Sequence, residues 1–168
     1  MSSIKALFPE EDKLTKIIKR ISVVADRTEI ETYLVGGVIR DRIMGRETND
    51  IDIAVVGNGI DFAVQLANEI GLNKVVKYEK FGTAMIPYHN YTIEVATARS
   101  EEYEDDSRKP EVEAGSLEED LKRRDFTINA LAMPLNSDRI FELIDFYNGL
   151  QDLNNGIIKT PLEPQETF

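Results

Sequence analysis

The spacing of apolar residues predicts a chain that alternates between helices and strands. Over residues 11–25 the apolar side chains recur every three or four positions, which is typical of one buried helix face, and residues 60–70 repeat the pattern. Short runs rich in valine, isoleucine, threonine and tyrosine lie around these stretches and predict strands. The predicted strands cover residues 32–35, 50–56, 74–78, 83–87 and 91–96, with a short helix over 38–44 between the first two.

The C-terminal third carries a different mixture of elements. Residues 117–129 are interpreted as one helix, and residues 130–134 and 139–144 as a closing hairpin. No internal repeat and no linker divides the chain, so a single domain over residues 1–168 is expected. The mixture of helices and strands indicates an α+β or α/β fold.

Composition limits what this domain could do. With 168 residues and 42% hydrophobic side chains, the chain is large enough to bury one core. It has no apolar run long enough to span a bilayer, no signal-peptide pattern and no cysteine, so a cytoplasmic protein without a membrane partner is expected. The formal net charge of −11 argues against nucleic-acid binding over the whole surface. Most of this charge comes from residues 101–120, and segment 101–118 is expected to be a mobile, solvated loop.

The strongest chemical pattern is a pair of aspartates preceded by two glycines. Asp50 and Asp52 stand two positions apart in an apolar strand, so both carboxylates point to one face, about 6.6 Å apart at their Cα atoms. Two carboxylates fixed this close favour a hard divalent cation such as Mg²⁺. Gly36 and Gly37 end the preceding strand and let the backbone approach a phosphate, and Arg40 follows them. This combination is typical of a nucleotidyltransferase.

Glu94 is a candidate third carboxylate. It alternates with Ile93 and Val95 in a predicted strand, so it faces away from the core, and strand pairing could set it beside the aspartates. There it could complete a two-metal site or deprotonate an attacking hydroxyl. The alternative is an ordinary glutamate on an exposed strand face.

A second dense patch lies at residues 123–130. If the patch is helical, Asp125 and Asn129 are neighbours one turn apart, and they could hydrogen-bond ribose hydroxyls. Arg124 could donate two hydrogen bonds to phosphate oxygens. The alternative is a helix whose charges form ordinary surface pairs.

Together these residues resemble the catalytic head of the tRNA nucleotidyltransferase (CCA-adding enzyme) and bacterial poly(A) polymerase family, class II of the DNA polymerase beta-type superfamily. The resemblance covers nearly the whole chain after about residue 15. The matching motifs are Gly36–Asp41, Asp50–Asp52, Phe81–Ala84, Glu94 with Arg99, Arg123–Ala130, and Asp145 with Gly149.

The resemblance implies an α+β fold of the DNA polymerase beta type, with a mixed β-sheet flanked by helices. It implies Mg²⁺ held by Asp50 and Asp52, with Glu94 as the third catalytic carboxylate. It also implies ribose recognition near Asp125 and Asn129. Triphosphate contacts are implied for Gly36, Gly37, Arg40 and Arg124.

The implied activity is template-independent addition of CMP and AMP, from CTP and ATP, to the 3′ end of tRNA by two-metal phosphoryl transfer. Poly(A) addition, or addition of only CC or only A, is a close alternative. A non-catalytic nucleotide-binding module is an alternative from another class, although the presence of all three carboxylates counts against it. A glycosyltransferase with an Asp-x-Asp metal site explains neither the glycine pair nor the arginine patch.

In this family the head is followed by a neck helix, with an acidic-then-arginine motif that recognises the base, and by a tRNA-binding body. The chain stops at Thr167 and Phe168, where that motif should begin, so a truncated head is expected. Base selection and most tRNA contacts are therefore expected beyond Phe168. The sequence contains no signal for the oligomeric state.

Overall fold

The computed structural model describes residues 3–100 and 114–168, and its centre is one six-stranded mixed sheet. The strand order is β3-β4-β5-β2-β1-β6; β2 and β5 run parallel, and every other neighbouring pair is antiparallel. The strands are β1 Glu31–Val35, β2 Asp50–Val56, β3 Val76–Tyr78, β4 Thr83–Tyr88, β5 Tyr91–Thr97 and β6 Ala132–Pro134. The expected α+β class with a mixed sheet is confirmed.

Helices flank this sheet, and three of the six described α-helices begin at side-chain caps that the sequence supplies. Asp12 accepts a hydrogen bond from the Thr15 N–H (3.1 Å) at the start of the first helix, and Asn58 caps the third in the same way. The helices are α1 Lys13–Thr28, α2 Gly37–Ile43, α3 Gly59–Glu69, α4 Leu117–Lys122, α5 Gly149–Asn155 and α6 Pro164–Thr167. The predicted early helices and strands agree with these bounds within three residues.

The two faces of the sheet are covered by different helices. The main core packs β2 residues Ile51, Ile53 and Val55 with the apolar faces of α1 and α3. A smaller cluster on the other face packs Ala54 with Leu117 and with the rest of its members, Tyr33, Val35, Leu121, Ala130, Ala132 and Ile144. Because side chains alternate along a strand, the two β2 aspartates share the face of this smaller cluster.

The prediction of one helix over residues 117–129 is wrong. Helix α4 begins at a capping box formed by Ser116 and Glu119 and ends at Lys122, and a short 3₁₀ turn follows at Thr127–Asn129. Tertiary contacts account for the break. The Thr127 hydroxyl donates to Asp152 (2.6 Å) and its N–H donates to the Lys159 carbonyl (2.8 Å), so its hydrogen bonds lead away from a continuing helix.

The predicted closing hairpin is also wrong in its second half. Strand β6 pairs with β1, whereas the described part of the chain shows only isolated bridges for residues 139–144. Glu142 forms a bridge with Ser3, and Ile144 exchanges two backbone hydrogen bonds of 3.0 and 2.8 Å with Ala132. Phe141 adopts a left-handed backbone conformation, with φ of 68°, which interrupts an extended strand.

The segment that follows β5 and the segment that precedes α4 contact each other. Arg99 and Ala114 form an antiparallel bridge, and the Gly115 N–H donates to the Ala98 carbonyl (2.8 Å). A Cβ at Gly115 would lie 2.4 Å from the carbonyl carbon of Arg99, so only glycine permits this approach. Most of the acidic segment predicted to be mobile, residues 101–113, lies outside the described residues.

Across residues 3–100 and 114–168, none of the helices has the combination of length and apolar character that crossing a bilayer requires.

Gly149 offers a direct test of how the 3₁₀ turn is fastened to α5. A Cβ at this position would lie 2.1 Å from the Thr127 carbonyl oxygen, a backbone atom that cannot turn aside. We expect Gly149→Ala to lower the free energy of unfolding by about 3 kcal/mol, because the backbone must shift to relieve the overlap. Urea unfolding measures the change. Gln151→Ala, at an exposed position of the same helix, is the control, and equal stability of the two variants would contradict the packing described.

Candidate active site

Parallel pairing of β2 with β5 brings the three predicted carboxylates to one face of the sheet. Asp52 lies directly opposite Glu94, and Asp50 lies two residues before Asp52 on the same face. Asp50 is exposed, whereas Asp52 and Glu94 are half-buried. The alternative that Glu94 is an isolated surface residue does not fit this register.

The surroundings of Asp52 disfavour its negative charge. Burial raises the pKa of the Asp52 carboxyl, and the neighbouring Glu94 and Asp50 carboxylates raise it further, whereas the Arg124 guanidinium lowers it. A bound cation would offset this repulsion directly, since opposite charge favours the ionised carboxylate.

Gly36 lets the backbone pass between Arg124 and Asp52. Its φ of 76° and ψ of −140° lie in a region open to glycine and closed to other residues. A Cβ there would lie 3.0 Å from Arg124 Nη1 and 3.7 Å from Asp52 Oδ2. The absence of a side chain therefore lets one cation and one carboxylate approach the backbone closely. The Gly36 N–H itself donates to the Leu131 carbonyl (3.1 Å), so it is already engaged within the protein.

Arg40 connects α2 with the 3₁₀ turn. Its Nη1 donates to Asn129 Oδ1 (2.7 Å), and Asn129 Nδ2 donates to Asp125 Oδ1 (3.0 Å). Arg40 Nη2 would lie 3.2 Å from a Cβ at Gly37, so the absence of a side chain at Gly37 leaves room for the Arg40 guanidinium group. The predicted contact between Asp125 and Asn129 is thus present, although the continuous helix proposed to create it is not.

Two carboxylates that form ion pairs with these arginines were not predicted as site residues from the sequence. Asp41 accepts from Arg40 Nε (3.0 Å) and pairs with its Nη2 (2.9 Å). Asp120 pairs with Arg124 Nη2 (3.2 Å), and its side chain is only 2% exposed. The position of Asp120 four residues before Arg124 could have indicated an ion pair on a helix. Asp120 also belongs to an acidic run, however, and from composition alone such a run is expected to be exposed to solvent.

The donors present suit a divalent cation that is shared with a ligand. Within residues 3–100 and 114–168, no group of three or more His, Asp or Glu side chains comes together to hold a metal by itself. Mg²⁺ often needs only one or two carboxylates, because substrate phosphates and water complete its coordination. The carboxylates of Asp50 and Asp52, which share one sheet face, match that requirement. Arg124 Nε is buried and has no hydrogen-bond partner among the described residues, so this guanidinium group is not fully satisfied by the protein alone.

Asp52 gives a prediction for stability against pH. Its pKa is raised in the folded chain from the ordinary value of 3.8, so the folded state holds the proton more tightly than the unfolded state. The contribution of Asp52 to the free energy of unfolding is therefore present at low pH. It is lost as the pH rises from 3.8 through the raised pKa of the folded state. We expect Asp52→Asn to be more stable than wild type at pH 7, with an advantage that shrinks as the pH falls toward 3.8.

Urea unfolding in EDTA across this pH range measures the effect. Asp138→Asn, which removes one exposed carboxylate, is the matched control and should give a small change at every pH. A wild type that is more stable than Asp52→Asn at pH 7 would contradict the unfavourable environment described for Asp52.

Comparisons with known proteins agree with this fold. Residues 32–159 match the family model described as the Poly A polymerase head domain. The A-adding tRNA nucleotidyltransferase of Aquifex aeolicus (strain VF5) is 45% identical over 130 residues, which cover 77% of this chain and 16% of that protein.

Solved structures are similar over most of the chain. The Thermotoga maritima CCA-adding enzyme complexed with tRNA-CCA has a TM-score of 0.81 at 34% identity, covering 96% of this chain and 36% of that chain. A tRNA nucleotidyltransferase complexed with a primer tRNA and an incoming ATP analog has a TM-score of 0.75 at 40% identity, covering 84% of this chain and 39% of that chain. This chain therefore spans well under half the length of each of these relatives. It has the expected nucleotidyltransferase head fold, and it belongs to the poly(A) polymerase head domain family.

Proposed function

We propose that this domain is the catalytic head of an enzyme that transfers nucleotides from CTP and ATP to the 3′ end of tRNA. One observation carries the proposal: the Asp50, Asp52 and Glu94 carboxylates share a sheet face, and the Arg124 guanidinium group lies against Gly36 beside Asp52. Carboxylates for a metal and arginines for phosphates are the two requirements of nucleotidyl transfer. In the proposed reaction the tRNA 3′-oxygen bonds to the α-phosphorus of the nucleotide, and the bond from that phosphorus to pyrophosphate breaks.

The three carboxylates have different proposed roles at the reacting oxygens. Asp50 and Asp52 would hold divalent cations, for which we propose Mg²⁺. Such an ion, when bound, lowers the pKa of the attacking hydroxyl and stabilises charge on the departing pyrophosphate. Glu94 lies opposite Asp52, so we propose it as the third catalytic carboxylate, which would complete the metal site or accept the hydroxyl proton.

The arginines and glycines would bind the triphosphate. Arg124 Nη1 lies against Gly36, and Arg40 lies against Gly37, so both guanidinium groups flank the backbone of the glycine pair. Guanidinium groups bind phosphate oxygens through paired, charge-assisted hydrogen bonds. The glycines contribute by letting the two cations approach the backbone closely.

Asp125 and Asn129 would orient the ribose. Asn129 already accepts from Arg40 and donates to Asp125, so a hydroxyl bound here would be connected to the phosphate-binding arginine. The positions of phosphate and sugar would then be set by one hydrogen-bonded chain.

Base selection and most tRNA contacts are proposed to lie in other parts of a longer protein. This chain covers 16% to 39% of the three relatives described above, and two of their structures are named as complexes with tRNA. The domain is accordingly proposed as a head of residues 1–168. A cytoplasmic location stays a prediction of the sequence.

Addition of a single A is the second candidate. The observation that favours it is the 45% identity to a protein named as A-adding. The two candidates share the proposed site and differ only in which tRNA ends they extend.

The test is nucleotide transfer by the full-length protein. We expect labelled CMP and AMP to be added in sequence to a tRNA that lacks CCA, and labelled AMP to a tRNA that ends in CC. The double variant Asp50→Ala with Asp52→Ala should lose at least about 100-fold in rate, because metal coordination supplies several kcal/mol of transition-state stabilisation. Asp61→Ala, which removes an exposed carboxylate at the start of α3, should retain the wild-type rate.

The acceptor series separates the candidates. AMP transfer only to tRNA ending in CC would establish A-only addition, and repeated AMP transfer would establish poly(A) synthesis. Absence of transfer to every acceptor, with ATP and CTP both present, would contradict nucleotidyl transfer itself.

The 168-residue chain should bind nucleotides without choosing the base. The contacts proposed here engage phosphates and ribose, which CTP and ATP share. We expect equal affinities for the two nucleotides, within about twofold, in titration calorimetry with Mg²⁺ present. A clear preference for one base would show that the described residues recognise it, and would contradict the proposal that base selection lies elsewhere.

A further inference from the structure

The two terminal nitrogens of the Arg124 guanidinium group have different neighbours. Its Nη2 pairs with Asp120 Oδ2 at 3.2 Å, whereas its Nη1 lies 3.0 Å from the position of a Cβ at Gly36. One terminal nitrogen is therefore paired with a carboxylate, and the other lies against the glycine pair, where the triphosphate is proposed to bind.

Asp120 is fixed more firmly than a surface carboxylate. Its side chain is 2% exposed, and its Oδ1 accepts from Arg123 Nη2 (3.0 Å) and from the Arg99 backbone N–H (3.3 Å). It projects from α4, whose Leu117 and Leu121 are buried against the sheet. A carboxylate held by donors on both oxygens has little freedom to turn, so it provides a rigid anchor for Arg124.

We propose that Asp120 is a positioning residue that orients Arg124 toward the triphosphate of the bound nucleotide. The inference rests on the proposed function, because it takes Arg124 as a phosphate-binding residue. A free arginine side chain has many rotamers, and binding a phosphate would require it to give up that freedom. With Nη2 already held by Asp120, Arg124 loses less freedom when its other nitrogen meets a phosphate.

The negative charge of Asp120 has an opposing effect, because it weakens the attraction between Arg124 and an anion. Arg123 shares the same carboxylate, so the three side chains together retain one positive charge. We therefore expect the loss of orientation to outweigh the gain in attraction when Asp120 is neutralised, and nucleotide affinity to fall.

The experiment is a double-mutant cycle on the 168-residue chain, read as affinity for ATP with Mg²⁺ by titration calorimetry. We expect Asp120→Asn to weaken binding about tenfold, as typical of losing one charge-assisted contact. Arg124→Ala should weaken it at least as much. The variant that combines both changes should bind no more weakly than Arg124→Ala alone, because Asp120 acts through Arg124.

Two further variants keep the test decisive. Glu118→Gln removes the same charge from an exposed position of the same helix, and it should bind ATP as wild type does. Arg124→Lys retains the charge but cannot bind Asp120 and a phosphate through two separate nitrogens, so it should also lose about tenfold even if Asp120→Asn fails to fold.

The outcomes separate the two proposals. If Arg124→Ala weakens binding while Asp120→Asn leaves it unchanged or tightens it, the positioning role is overturned and the phosphate site stands. Additive losses in the combined variant, or wild-type affinity of Arg124→Lys, also overturn the positioning role. Wild-type affinity of Arg124→Ala overturns the phosphate role of Arg124 and the inference with it.

Discussion

The parallel pairing of β2 with β5 is the constraint on which the site depends. It sets Asp52 opposite Glu94 in one row of the sheet, and the main core fixes that register through Ile51, Ile53 and Val55. A shift by one residue would turn the carboxylates into the apolar core, which the fold could not accommodate. The repulsion that raises the pKa of Asp52 is thus maintained by the same apolar packing that stabilises the domain.

The two arginines beside the glycine pair have a feature in common: each is paired with a carboxylate. Asp41 pairs with Arg40 from the same helix, and Asp120 pairs with Arg124 from one helical turn earlier. Both pairs leave a nitrogen directed at another group, Asn129 for Arg40 and the Gly36 backbone for Arg124. An arginine held in this way is oriented before any ligand arrives.

The sequence predicted those parts of the site that depend on local periodicity. Alternation along β2 placed Asp50 and Asp52 on one face, because a strand has only two faces to offer. The end of α4 could not be predicted in this way, since it is decided by hydrogen bonds from Thr127 to residues 25 and 32 positions further along the chain. Likewise, burial of Asp120 depends on packing against the sheet, whereas its neighbours in sequence indicate solvent. The hydrogen bond from the Gly36 N–H to the Leu131 carbonyl likewise joins residues far apart in the chain, so the glycine pair alone could not predict it.

The bridge between Arg99 and Ala114, with Gly115 pressed against the Arg99 backbone, has a consequence for how this domain could diversify. The two anchored ends lie close together, so the chain between them closes a loop whose entropic cost grows only slowly with its length. Insertions and deletions there would leave α4 and Arg124 in the same register with Asp52. Relatives are therefore free to differ in the size of this segment while keeping one arrangement of charged groups.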